Sequence, residues 1–288
     1  MKINKTIRLF RKYLKQDKGY SHNTIYNYTK DINQLQEYSG VNNIEDIKSA
    51  TIREWLNNMD IAVTTRNRKM YSIRSLFNFL TRYEYLDNNP AEKIEVTKDT
   101  RDYEPVYLTE DEAKQFLKVV ENYNDTYNRR NIAIVYTLLF SGLRVSELAN
   151  LNIDNYSNEY LKFIGKGNKE RIVPLHSLIK DKIKRYLPLR EELLIGTTSK
   201  ALFVSKNGNR ISTRTVQRLI KKYINASNIN KHITPHKLRH TFASMFYKKT
   251  KDLKSLQDLL GHSSLSSTTI YTHTDQEKKT EQVNSLTL

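Results

Sequence analysis

A 3.6-residue hydrophobic period runs through most of this chain and breaks in two places, and those breaks dictate its organisation. The first is the polar stretch "DNNPAEKIEVTKDTRDYEPVYLT", which carries two prolines and no period. The second lies between residues 159 and 175. There "EYLKFIGKGNKERIVPL" switches to two β-rich runs around a Gly-Lys-Gly-Asn-Lys turn, the pattern of a hairpin. The expected fold class is mainly α: an all-helical N-terminal domain over residues 1–93, a linker over 94–106, and a larger α-rich domain over 107–288 with a small antiparallel β-sheet.

Local signals mark the helix ends. "SHNTIYNYTKDINQLQEYSG" opens on a Ser21 cap, repeats apolar or aromatic residues at Ile25, Tyr28, Ile32, Leu35 and Tyr38, and stops at Gly40. "TTRNRKMYSIRSLFNFLTRYEYL" has Thr64 or Thr65 as its cap and Tyr71, Leu76, Phe77, Phe79 and Leu80 as its core side. Arg66, Arg68, Lys69, Arg74 and Arg82 remain for its other faces. Thr109 caps "LTEDEAKQFLKVV", and "NIAIVYTLLFSG" reads as a buried helix ending at Gly142. Helical patterns resume near residue 176 and run to the end.

Charge narrows the partners. The 48 Lys+Arg against 31 Asp+Glu leave a formal +17, which points to a polyanion: nucleic acid or an anionic membrane surface. No apolar run approaches the ~20 residues of a membrane span, and the N-terminus lacks a signal peptide's apolar core. A chain without cysteine has no disulfide, no Cys-ligated zinc and no thiol nucleophile. The expectation is a cytoplasmic nucleic-acid-binding protein.

The basic residues are not spread evenly. From Lys206 to Lys231 there are seven basic residues (Lys206, Arg210, Arg214, Arg218, Lys221, Lys222 and Lys231) and no acidic one. Arg214, Arg218, Lys221 and Lys222 fall on one side of a helix that begins near Thr213. A solvated face is the ordinary meaning of such a stripe, but without compensating acids contact with DNA phosphates is favoured. Arg66, Arg68, Lys69 and Arg74 offer a second basic side from the N-terminal domain, and the two together would clamp duplex DNA.

Several short motifs carry the chemistry. In "TPHKLRHTFAS", Thr234 and Pro235 start a helix, and His236, Arg239 and His240 share one of its faces. His236 and His240 have the i, i+4 spacing of zinc ligands, but Lys237 stands where metalloproteases place a glutamate, and a lysine beside a dication is unfavourable. Arg144 in "SGLRVSEL" follows a glycine-terminated buried helix; it meets either Glu147 or an anionic ligand. Lys166 and Lys169 sit in the hairpin turn, His262 follows a Leu-Gly helix stop, and Tyr271 lies nine residues further on. By identity alone none of these is distinguished from solvated charge or packing.

Taken together, Arg144 in "GLRVSEL", Lys166 in "GKGNKER", His236 and Arg239 in "HKLRH", His262 in "LGH" and Tyr271 in "YTHT" resemble, in order and spacing, the active-site set of the tyrosine recombinases. These are the lambda-integrase-like site-specific DNA recombinases. The resemblance covers essentially the whole chain, shows no departure at a catalytic position, and is closest in size to the Xer-type enzymes. It implies a core-binding, SAM-like DNA-binding domain over 1–93 and a catalytic domain over 107–288. It also implies cutting and rejoining of duplex DNA through a 3′-phosphotyrosyl link to Tyr271, with no cofactor, ATP or metal.

Within that resemblance Arg144, Arg239 and His262 would stabilise the phosphate, His236 would be the base and Lys166 the acid. His240 is taken as a packing or hydrogen-bonding partner, while His176, His232 and His273 have no role. Partners implied are a double-stranded recombination site and further copies of the chain, four on two DNA sites. The C-terminal "EQVNSLTL" would dock on a neighbour. A type IB topoisomerase and a DNA-binding regulator with an inactive site are the rival readings. The sequence does not distinguish an enzyme acting alone from one with a partner recombinase or accessory protein.

Overall fold

The structure is a computed structural model, and it describes residues 1–97, 105–164 and 170–261. The chain divides into two compact units, Met1–Tyr103 and Glu104–Leu288. Among the described residues there are eleven α-helices and one two-stranded antiparallel sheet. None of these helices is long and apolar enough to cross a membrane.

The first unit holds α1 (Ile3–Gln16), α2 (His22–Ser39), α3 (Ser49–Asn57) and α4 (Val63–Arg82). Ser21 caps α2 by accepting from the Thr24 amide, and Gly40 ends it in the left-handed region, as its sequence dictates. α4 starts earlier than its threonines imply: Ala62 is the N-cap, and no side chain bonds there. Leu76, Phe77, Phe79 and Leu80 join Phe10, Leu14, Ile32, Leu35 and Trp55 in one core. Tyr71 does not; it stands at the surface.

Within this unit a buried carboxylate binds α2 to α4. Asp31 accepts from Arg68 (3.0 Å), Lys69 (3.2 Å) and Ser72 (2.9 Å). Lys69 also donates to Gln34 and lies over the Trp55 ring. A charge this deep costs several kcal/mol unless it is paired and hydrogen-bonded, which is why two cations and a hydroxyl gather on one aspartate (about 2–7 kcal/mol for even a neutral polar group).

The second unit begins its helices with α5 (Glu110–Asn122), closed by a capping box in which Thr109 and Glu112 satisfy each other's amides. α6 (Asn128–Ser141) runs through the middle of the core and stops at Gly142. α7 (Val145–Asn150), the hairpin β1 (Tyr160–Ile164) and β2 (Glu170–Pro174), and α8 (Ser177–Leu193) follow. The hairpin register pairs Leu161 with Val173 and Phe163 with Arg171. The helical pattern does not resume unbroken after residue 176: between α8 and α9 (Thr213–Ala226) the chain is non-helical. It is tied there by isolated bridges, Asn152 to Ala201 and Val204 to Arg210. α10 (Pro235–Thr250) and α11 (Leu253–Leu260) complete the described residues.

Candidate active site

Gly142 is where the site begins. Its φ of +64° lets α6 end and turn within one residue, and a Cβ there would come within 2.5 Å of the Phe242 ring. The turn brings Arg144, the N-cap residue of α7, beside the face of α10 that carries Arg239. Thr234 accepts from the Lys237 amide and Pro235 occupies the first turn, so α10 starts where its sequence says and fixes the phase of His236, Arg239 and His240.

Glu147, one turn into α7, is the hub. Its Oε1 accepts from Arg144 Nη1 at 2.8 Å and its Oε2 from the Arg144 backbone amide at 2.7 Å. Arg239 Nη1 lies 3.9 Å from Oε2, and Arg171 Nη1 lies 4.0 Å from Oε1. Three guanidiniums thus share one buried carboxylate, leaving two positive charges in excess. Arg144 pairs with Glu147, as the salt-bridge reading has it, and the cluster carries net positive charge.

Arg239 is 3% exposed and is held from beneath, donating to the Gly142 carbonyl and the Leu260 carbonyl at 2.6 Å each. These carbonyls end α6 and α11, so the negative ends of two helices face one guanidinium. Such a side chain is positioned before any ligand arrives.

His236 lies at the open side of the cluster. Its Nε2 is 3.1 Å from Nε2 of His240, with the rings nearly perpendicular. Partial burial, then the charges of Arg239 and Arg144, hold its pKa below the ordinary histidine value. At neutral pH it is therefore an imidazole with a lone pair, the form a general base requires. Among the described residues no group of three metal-ligating side chains comes together.

The cluster thus brings together Arg144, His236 and Arg239. Lys166, His262 and Tyr271 lie outside the described residues, as do His273 and the C-terminal "EQVNSLTL". Two further residues belong to the cluster. Read from the sequence, Glu147 is only a partner for Arg144. Arg171 was missed, although strand parity marks it: it shares a face of β2 with Val173, which is buried. His176, left without a role, caps α8 by accepting from the Leu178 amide and stacks on Phe140.

The basic residues expected to meet DNA separate into two groups. Arg214, Arg218 and Lys221 stand exposed on one side of α9. Lys222 beside them pairs with Asp125 at 2.8 Å and lies over Tyr123. Arg66 donates to Asn57 and Thr97, and Arg68 divides its exposed side chain with Asp31. One expectation needs correction, and two more residues have protein partners of their own. Lys69 is buried against Asp31 and faces the core instead of solvent. Arg74 donates to the Ala91 and Ile94 carbonyls, and Arg210 to those of Ala149 (2.9 Å) and Leu151 (3.0 Å). In all three the charge satisfies buried or loop acceptors that helical phase alone does not reveal.

Known proteins resemble this chain over most of its length. Residues 106–278 match the model of the phage integrase family, and residues 7–84 match that of the phage integrase N-terminal SAM-like domain. A tyrosine recombinase XerC of Natranaerobius thermophilus is 35% identical over 96% of this chain and 96% of its own length. The solved structure of the XerH site-specific recombinase bound to a palindromic difH substrate is similar with a TM-score of 0.77. It is 22% identical and aligns over 97% of this chain and 94% of that one. A lambda integrase tetramer bound to a Holliday junction is similar with a TM-score of 0.74 at 20% identity, over 94% of this chain and 77% of that one.

Proposed function

Since this chain belongs to the phage integrase family and is a tyrosine-type site-specific DNA recombinase, we propose that Tyr271 is its nucleophile and that the arginine cluster receives the scissile phosphate. The observation that carries this reading is the three-guanidinium cluster around Glu147, beside a histidine held neutral. A phosphodiester repels nucleophiles, and attack builds negative charge on its nonbridging oxygens. Arg144 and Arg239, always ionised and fork-shaped, meet that charge without reorganising.

The Tyr271 oxygen bonds to phosphorus as His236 takes the phenolic proton, since a phenol with a pKa of about 10 is otherwise a weak nucleophile. The bond from phosphorus to the 5′ oxygen breaks. Lys166 gives that oxygen a proton, and His262 donates a further hydrogen bond to the phosphate. The product is a 3′-phosphotyrosyl link and a free 5′-hydroxyl. Because the link keeps the energy of the broken bond, attack by a 5′-hydroxyl from the other duplex rejoins the strands without ATP.

Residues 1–93 would serve as a core-binding domain and 107–288 as the catalytic domain, joined over 94–106. Arg214, Arg218 and Lys221, with Arg66 and Arg68, would contact phosphates. Four copies on two duplex sites in the cytoplasm would form the working assembly, like the lambda integrase tetramer, with or without a partner recombinase. A nicked suicide substrate incubated in excess EDTA, without nucleotide, tests the chemistry. Covalent protein–DNA product is expected, and loss of product restored by zinc would overturn the metal-free account.

A further inference from the structure

Arg171 is the one member of the arginine cluster without an assigned part in the reaction. It stands on β2, paired in register with Phe163, and its guanidinium lies over that ring. From there it reaches out of the sheet. Nη1 donates to the Leu260 carbonyl at 2.8 Å and Nη2 to the Leu259 carbonyl. Only 13% of its side chain is exposed, and its buried Nε–H finds no partner among the described residues.

Two further features show that this contact is built. The Leu260 carbonyl also accepts from Arg239 Nη2 at 2.6 Å, so one acceptor at the end of α11 is shared by guanidiniums from two distant segments. Gly261, which ends α11 with φ +64°, leaves room for the approach: a Cβ there would fall 2.5 Å from Arg171 Nη1. A fork-shaped cation against the last carbonyls of a helix is favoured both by hydrogen bonding and by the helix dipole.

The chain positions of these partners give the contact its meaning. Arg171 lies on β2, five residues after Lys166 in the sequence, and Gly261 directly precedes His262. Arg171 joins β2 to the end of α11 and lies 4.0 Å from the Glu147 hub.

We propose that Arg171 is a positioning residue that registers the Lys166 strand pair against the end of α11, so that the leaving-group acid is delivered to the phosphate held by Arg144 and Arg239. This inference rests on the reading of Lys166 as general acid, and its test separates the two.

The test replaces the bridging 5′ oxygen of the scissile phosphate by sulfur. A thiol ionises near pH ~8.5 and departs as thiolate without a proton, so a defect confined to the acid disappears on the sulfur substrate. A defect in phosphate binding or in folding does not. Single-turnover cleavage of both substrates would be measured for wild type, K166A, R171K and R171Q, with half-site gel shifts to report folded, DNA-binding protein. R171K keeps the charge and loses the fork; R171Q keeps neither, and R171K carries the test if R171Q fails to bind DNA.

General acids contribute about 100- to 10,000-fold, and misplacing one should forfeit a part of that, about tenfold or more for R171K on the oxygen substrate. Most of this loss should vanish on sulfur, with half-site affinity unchanged. Equal slowing on both substrates, or none on either, would overturn the positioning role. K166A left unrescued by sulfur would instead overturn Lys166 as the acid, and the inference with it.

Discussion

Glu147 grips Arg144 twice, through the side chain at 2.8 Å and through the backbone amide at 2.7 Å. The carboxylate therefore both starts α7 and aims the arginine that starts it. Because Arg239 is buried beside the same carboxylate, Glu147→Ala removes a counter-charge from a buried cation and should lower stability by about 3 kcal/mol. Arg144→Ala removes a more exposed partner; it should leave the melting temperature near wild type yet abolish cleavage. Thermal melts beside suicide-substrate assays measure both. Equal destabilisation by the two would make the cluster structural only.

If His236 is the base, it should set the acid side of the pH profile. Its pKa is lowered by partial burial and by Arg239 and Arg144, and as the proposed base it would act in its neutral form. Activity is thus present above that pKa and lost as the pH falls through it, at a pH below the ordinary 6.5. The cleavage rate at subsaturating DNA reports the free enzyme. A fall-off centred above 6.5 and abolished in His236→Ala would contradict the assignment.

The basic residues should divide by what they touch. Arg214→Ala with Arg218→Ala should weaken half-site binding and lower the magnitude of the salt slope by about 0.9 for each phosphate no longer neutralised. Lys69→Met should leave the salt slope alone and cost about 1–3 kcal/mol of stability, because Asp31 loses one of its buried donors. Salt-dependent gel shifts and denaturant melts separate the two. A reduced slope for Lys69→Met with normal stability would return it to the DNA face.

Truncation after Lys279 should leave half-site binding nearly intact and reduce cooperative filling of the full site. The apolar Val283, Leu286 and Leu288 cannot hold a helix alone, since isolated helices below about 12–15 residues are marginal in water. Docking on the next subunit in a closed ring would supply the groove they need. Gel-shift titrations on half and full sites compare the two, and unchanged cooperativity would place the tail on its own subunit.

The elements most legible in the sequence are those with caps and stops: Ser21 and Gly40 around α2, the Thr109 capping box, Gly142 after α6, and Thr234–Pro235 before α10. Each is local chemistry that a short window contains. What a window does not contain is the partner across the fold. Lys69 and Arg74 read as surface charge because their acceptors, Asp31 and the Ala91 and Ile94 carbonyls, lie elsewhere in the chain. Arg171 is hidden for the same reason, its acceptors being nearly ninety residues away. In the candidate site, motif spacing marks Arg144, His236 and Arg239, while Arg171 and the hub role of Glu147 need the structure.

The central claim, that Tyr271 attacks the phosphate, is tested most directly by trapping the protein on a nicked suicide substrate and mapping the peptide that carries the nucleotide. Nineteen tyrosines compete for that position, and only one should be modified. The account predicts DNA attached to Tyr271 and, for Tyr271→Phe, normal site binding with no covalent band on a denaturing gel. A covalent band from Tyr271→Phe, or nucleotide mapped to any other residue, would contradict it.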